Sequence, residues 1–144
     1  MHKYLLAVVL ILQACIATRG PVDPVFASMR VQYDSQLKSS LTNVESATAQ
    51  FDGALTGLTD DQKQTPRYRS LVGRYDAILK QYTVAKGKAA ALIAWAAQTE
   101  EGATLEDRSR LTSEANALSI ELGNLGATVH QLPAEINVIQ MTTH

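Results

Sequence analysis

The sequence is short of the residues on which several protein classes depend. Among its 144 residues there is one cysteine, so a disulfide within the chain is excluded. Four prolines and eight glycines are too few for the many tight turns of a β-sandwich. Only one Trp and two Phe are present, although 46% of the residues are hydrophobic. The core must therefore consist mainly of aliphatic side chains and alanine.

Charge and motifs exclude further classes of function. The formal net charge of −1 gives no general reason to bind nucleic acid. The sequence contains no GxSxG, P-loop, GxGxxG, CxxCH or HExxH motif, and no histidine lies between residues 66 and 129. A general base near neutral pH would need a strongly shifted carboxylate. We therefore expect no enzyme activity, no cofactor and no metal site.

Hydrophobic residues recur with helical spacing along a central segment. Between residues 68 and 96 the steps alternate between three and four, which is the heptad pattern of a helix packed along its length by partner helices. The members of this seam are Tyr68, Leu71, Tyr75, Ile78, Tyr82, Ala85, Ala89, Leu92 and Ala96. The segment from Pro66 to Thr99 carries six basic residues and one acidic residue.

Two acidic amphipathic segments flank this basic one. The first runs from Pro24, after the N-cap candidate Asp23, to about Leu58, and the third begins at Thr104. The apolar positions of the third segment, at steps of four and three, are Leu111, Ala115, Leu118, Leu122, Leu125, Val129, Leu132, Ile136 and Ile139. Pro133 should kink or split the third helix, because its ring excludes a helical hydrogen bond.

These patterns predict an all-α fold, an antiparallel three-helix bundle of long helices with coiled-coil-like heptad seams, over residues 24–144. Both connections are short, so neighbouring helices should be antiparallel. Folding the chain about residues 100–101 places Tyr75 opposite Gly126 and Ile78 opposite Gly123. We expect these glycines to make room for the large side chains.

The N-terminus has the features of an export signal. Met1-His2-Lys3 is a short positive start, and Leu5 to Leu12 is an apolar run too short to span a membrane. The sequence Leu12-Gln13-Ala14-Cys15 resembles the lipobox of bacterial lipoproteins. That resemblance implies removal of residues 1–14 and lipidation of Cys15. Because Ile16 and not Asp follows the cysteine, it also implies transfer to the outer membrane in a Gram-negative host.

An ordinary signal peptide, cut after Ala17, is the alternative, and the protein would then be secreted without a lipid. In either case residues up to 23, with Pro21 and Pro24 nearby, form a short linker. With a lipid at Cys15 the bundle would be held within about 30 Å of its membrane, at about 3.3 Å per residue.

The central helix offers the candidate contact residues. Tyr68, Tyr75 and Tyr82 recur every seven residues, and Arg74 belongs to a local arginine cluster. Tyrosine and arginine are common where protein interfaces concentrate their binding energy. The alternative is that the tyrosines form part of the core and that the arginines pair with acids of the neighbouring helices. Both interpretations remain open at this point.

Two further patterns bear on binding. Leu58-Thr59-Asp60-Asp61-Gln62 resembles the LTxxQ motif of small periplasmic chaperones, although Thr59 and Gln62 also fit a helix capping box.

Met29 and His130 are the candidate haem ligands, but parallel first and third helices would put them at opposite ends of the bundle.

The sequence thus predicts a non-catalytic cell-envelope lipoprotein, anchored in the outer membrane and facing the periplasm. It would act as a helical rod by contact with another envelope protein. The alternative is a binding module, either an LTxxQ-like chaperone or a secreted carrier of apolar ligands.

Overall fold

The computed structural model of the protein describes residues 20–142, so the predicted signal peptide and Cys15 lie outside the described residues. The chain forms helices α1 (Pro24–Thr56), α2 (Asp60–Lys63), α3 (Pro66–Thr99), α4 (Leu105–Gln131) and α5 (Pro133–Thr142). The prediction of an all-α bundle with long helices packed against each other is confirmed. At about 1.5 Å per residue, the 34 residues of α3 make a rod close to 50 Å long.

The helices begin where the capping residues predict. Asp23 accepts hydrogen bonds from the backbone N–H groups of Val25 and Phe26 at the start of α1. Thr59 and Gln62 form the complete capping box of the short helix α2, so both polar residues of the LTxxQ-like segment have a local structural role. Proline occupies the first position of α1 and of α3, where its missing N–H costs nothing. Pro133 separates α4 from α5, as predicted.

The heptad seams supply the core. Leu111, Ala115 and the other seven predicted members of the third seam are all buried. In α3, seven of the nine seam residues are buried, and Tyr68 and Tyr82 are half-buried. Gln62 is the one polar residue classed as buried within residues 20–142. The interior of the described bundle is therefore almost entirely hydrophobic.

Ring contacts fix the directions of the helices. Phe26 meets Trp95 at 6.0 Å between ring centroids, and Phe51 meets Tyr75 at 4.6 Å. The first contact joins the start of α1 to the end of α3, and the second joins the end of α1 to the first half of α3. Helices α1 and α3 are therefore antiparallel. Helices α1 and α4 are parallel, since Asp23 before α1 bonds to Arg108 near the start of α4, and Gln36 bonds to Ser119 further along both helices.

The end of the predicted linker is bound to the bundle rather than free of it. The backbone of Gly102 donates to Pro21, Asp23 donates to Glu100, and Val22 forms an isolated antiparallel bridge with Glu101. We call the bonded segments Gly20–Asp23 and Glu100–Gly102 the N-terminal clasp. Gly102 has φ +79°, a backbone conformation that other residues adopt only with strain. The chain therefore enters the bundle at a fixed point, beside the connection from α3 to α4.

The predicted pairing of glycines with large side chains is wrong. A Cβ added at Gly126 would meet Val44 of α1 at 3.7 Å, and one added at Gly123 would meet nothing within 4 Å. Tyr75 packs against Phe51 instead. The reason is the position of the second turn. The ion pairs Arg74–Glu135 and Lys88–Glu121 join residues that are equally far along the chain from a point between residues 104 and 105. The prediction had placed the centre of the turn at residues 100–101.

Gly123 has free space where its side chain would be. Because a methyl group there has free space, Gly123→Ala should raise the free energy of unfolding by about 0.5–1 kcal/mol through helix propensity alone. Chemical denaturation followed by circular dichroism measures the change. Gly102→Ala is the control, and it should have the opposite effect. Because residue 102 has a positive φ, alanine there should lower the free energy of unfolding by about 1–2 kcal/mol. A loss of stability in Gly123→Ala would mean that the glycine does accommodate a neighbour.

Candidate functional site

The predicted contact residues of α3 differ in their accessibility. Tyr75 is only 5% exposed, its ring packs against Phe51, and its hydroxyl lies 3.5 Å from the carbonyl oxygen of Thr48. Burial raises the pKa of the Tyr75 hydroxyl, and the nearby carboxylate of Asp52 adds to this effect. A partner docking on the bundle surface cannot reach this ring. Tyr75 is therefore a core residue.

Tyr82 belongs to a polar cluster that joins α3 to α1. Its hydroxyl donates to the Glu45 carboxylate at 2.6 Å, and the Lys86 ammonium donates to the same oxygen at 2.9 Å. The hydrogen bonds from Tyr82 and Lys86 lower the pKa of Glu45. Burial, with the hydrogen bond to Glu45, raises the pKa of Tyr82. This cluster keeps one charge of each sign at an exposed surface.

Arg74 lies on the other flank of α3. Its guanidinium donates to Glu135 at the start of α5, in an ion pair whose arginine side chain remains 50% exposed. The hydrogen bond from Arg74 lowers the pKa of Glu135, and the charge of Arg67 contributes. The same bond raises the pKa of Arg74. An exposed pair of this kind typically contributes well under about 1 kcal/mol, so exchanging Glu135 for a partner's carboxylate would cost little.

The four predicted contact residues therefore do not form one patch. Tyr82 is directed towards α1, Arg74 towards α5, and Tyr75 into the core. Tyr68 is half-buried at the start of α3, where its backbone N–H is capped by Thr65. The accessible members are Tyr68, Arg74 and the edge of Tyr82, on two flanks of the same helix.

The structure reveals an apolar groove that the heptad analysis missed. It lies between α1 and α3, has a volume of about 270 Å³, and is lined by Asp34, Leu37, Lys38, Leu41, Lys86, Ala89, Ala90 and Ile93. Lys38 bonds to Asp34 at 2.7 Å and Lys86 bonds to Glu45, so the charges at its rim are paired. The sequence does contain a pattern that indicates this groove. Val72, Leu79 and Ile93 each follow a seam residue directly and widen the apolar face of α3 towards one side.

A second groove, of about 350 Å³, separates α1 from α4 and has a more polar lining. Ser40, Asn43 and Ser46 of α1 face Gly123, Gly126, Ala127 and His130 of α4. Gly126 of α4 lies against Val44 of α1, and His130 is further along α4, so His130 is separated from the level of Met29 by more than the 15 residues from Met29 to Val44, or over roughly 20 Å at about 1.5 Å per residue. The two candidate haem ligands are not brought together. Within residues 20–142, no group of three or more His, Cys, Asp and Glu side chains is arranged to hold a metal ion.

None of the helices in residues 20–142 combines the length and the apolar character that crossing a bilayer requires. Cys15, the predicted lipidation site, lies outside the described residues.

Comparison with known proteins does not assign the chain to a family. No protein-family model, curated protein or solved structure matches it significantly.

The Arg74–Glu135 pair predicts a specific pH dependence. Because the pKa of Glu135 is lowered in the folded state, the pair stabilises the fold above the ordinary value of 4.5. That contribution is lost as the pH falls through the lowered pKa. In Arg74→Gln the pKa of Glu135 should rise towards 4.5, and stability should depend less on pH in this range. At pH 7 we expect a loss of under about 1 kcal/mol.

Carboxyl-carbon NMR titration of Glu135 measures this shift, and denaturation at several pH values measures its effect on stability. Lys88→Gln is the matched control, because Lys88 pairs with Glu121 at 3.6 Å and not with Glu135. An unchanged Glu135 pKa in Arg74→Gln would show that the ion pair does not form in solution.

Proposed function

We propose that this chain is a non-catalytic lipoprotein of the bacterial outer membrane, held by a lipid on Cys15 and facing the periplasm. It acts as a helical rod by contact with another envelope protein. One observation carries the proposal: the lipobox-like Leu12-Gln13-Ala14-Cys15 is followed, only five residues later, by a segment that is bonded to the bundle. A lipid there would join the membrane almost directly to a rod about 50 Å long.

The contact surface of this proposal is the outer face of the first turns of α3, bordered by Tyr68 on one flank and by Arg74 on the other. Arg74 is half exposed, and its pairing with Glu135 is of the weak surface type. Arginine forms bidentate hydrogen bonds with carboxylates, so an acidic surface on the partner would fit the Arg74 side of this face. Tyr75 is excluded from the contact because it is buried.

Two measurements test the proposal. With labelled palmitate in a Gram-negative host, the wild-type chain should take up label and fractionate with the outer membrane, whereas Cys15→Ser should do neither. Multiple acyl chains should hold the protein firmly, since one chain alone binds only marginally. A wild-type protein that is unlabelled and soluble would contradict the anchor and favour ordinary secretion.

The partner is tested by photo-crosslinking in the same host. A photoreactive residue at position 68 or 74 should capture one specific envelope protein, and the same residue at Ile120 should not. Ile120 is the matched control because it is 66% exposed but lies on α4. Equal capture from all three positions, or from none, would contradict contact through this face of α3.

A second candidate function is that of a carrier of apolar ligands, or of a chaperone-like binding module. The observation that favours it is the groove between α1 and α3, whose floor consists of Leu37, Leu41, Ala89, Ala90 and Ile93. The LTxxQ-like segment adds little support, because Leu58 is buried and Thr59 and Gln62 cap α2.

A hydrophobic dye distinguishes this candidate from the contact protein. A carrier should bind the dye in its native state, and Ala90→Trp should abolish most of the binding by filling the groove. Ala94→Trp is the control, because residue 94 is exposed on the same helix but does not line the groove. If the native protein binds no dye, or if both variants bind it equally well, the groove is not a ligand site.

A further inference from the structure

We propose that the end of the bundle that carries the N-terminal clasp rests directly on the lipid bilayer, with the rod standing away from it. The partner of this surface is a zwitterionic phospholipid surface. The side chains that contact it are Val22, Val25 and Leu105. This inference rests on the proposed function, since it requires the lipid on Cys15.

The first described residues lie at one end of the bundle. Gly20 lies at the α3–α4 end of the bundle, because Pro21, Val22 and Asp23 are bonded to Glu100–Gly102. Cys15 precedes Gly20 by five residues, which span at most roughly 17 Å at about 3.3 Å per residue. A lipid at Cys15 therefore holds this end near the bilayer, while the opposite end of the rod lies about 50 Å away.

Three of the large exposed hydrophobic side chains lie at this same end of the bundle. Val22 is 52% exposed, Val25 is 49% exposed and Leu105 is 77% exposed. All three belong to the clasp or to the first residues of the helices that it joins. The other large exposed hydrophobic residues within residues 20–142 are Val31, Val84, Ile120 and Met141, which are spread over the sides and the opposite end. Single exposed apolar residues are normal, but a group around the chain entry indicates a contact surface.

The carboxylates of Asp23 and Glu100 at this end are paired with arginines of the protein. The Asp23 carboxylate accepts from Arg108 at 2.9 Å and caps α1. The hydrogen bond from Arg108 lowers the pKa of Asp23, with the backbone bonds to Phe26 and Val25 contributing. Arg30 pairs with Glu100. Charges that already have partners within the protein lose less hydration energy when a lipid interface approaches.

Two acidic residues of α4 favour one class of lipid over another. Glu106 and Asp107 lie in the first turn of α4, at this end of the bundle. Their charges disfavour a strongly anionic bilayer and are compatible with zwitterionic headgroups. This is why we specify a zwitterionic surface.

The test uses the full lipidated chain in vesicles of zwitterionic phospholipids with brominated acyl chains. With Cys15 blocked by its lipid, Leu105→Cys provides a free thiol for a polarity-sensitive fluorophore. We expect a blue-shifted emission and at least a two-fold quenching by the brominated lipid. Val25→Cys should behave in the same way. Ile120→Cys, on the side of α4, and Met141→Cys, at the opposite end, should give aqueous spectra without quenching.

The outcomes separate the inference from the function on which it rests. If the preparation carries no palmitate, the proposed function fails and the inference fails with it. If palmitate is present but the label at residue 105 is as aqueous as the label at residue 141, only the inference is overturned. Quenching at residue 120 as strong as at residue 105 would also overturn it, because the rod would then lie flat on the bilayer.

Discussion

The burial of the α3 seam between α1 and α4 is the constraint on which the rest of the structure depends. The side chains of this seam become smaller along the helix. Its first half carries Tyr68, Leu71, Tyr75, Ile78 and Tyr82, and its second half is largely alanine, at positions 85, 89 and 96. Where the side chains are large, they fill the core, as in the packing of Tyr75 on Phe51. Where they are small, other residues must fill the space.

At the clasp end the filling comes from aromatic residues. Phe26 is fully buried and meets the edge of Trp95, over whose face the Arg110 guanidinium lies at 4.2 Å. Between this contact and the Tyr82–Glu45 bond, Ala89 and Ala90 have no comparable partner. The groove beside Leu37 and Leu41 lies in this interval. It follows from the alanines of the seam and needs no ligand to explain it, which is why the carrier remains the second candidate.

The sequence was sufficient for the elements and their buried faces but not for their rotation and register. All nine apolar positions predicted between Leu111 and Ile139 are buried, because heptad spacing leaves only one face for the core. The helix starts at Asp23, Thr59 and Thr104 follow from local capping chemistry in the same way. The register of α3 against α4 depends on the geometry of one turn. The prediction misplaced the centre of this turn by about four residues. It therefore put Gly126 opposite Tyr75, whereas in the structure Gly126 lies against Val44.

The candidate site was less predictable for the same physical reason. Heptad spacing identifies Tyr75 and Tyr82 as members of one seam, but the residues of α1 opposite them decide that Tyr75 is buried against Phe51 and that Tyr82 reaches Glu45. The clasp has no periodic pattern at all. Its bonds depend on the positive φ of Gly102 and on Arg108 reaching Asp23 from a distant part of the chain. Such contacts become visible only when the helices are already placed.

The segregation of charge along the chain now has a structural explanation. The basic helix α3 is bonded to its acidic neighbours by Lys86–Glu45, Lys88–Glu121 and Arg74–Glu135. Each pair is exposed and contributes little stability. Together they favour this arrangement over alternatives, because a bundle that brought the acidic faces of α1 and α4 together would place like charges side by side.

The two acidic helices nevertheless pack against each other more extensively than either packs against α3. They do so through small and neutral residues. Val44 lies against Gly126, Gln36 donates to the Ser119 hydroxyl at 3.0 Å, and the groove between the helices is lined by serine, asparagine and glycine. Small side chains allow close approach without bringing carboxylates together. The basic helix therefore selects the arrangement, while the closest packing occurs between helices whose contact faces are neutral.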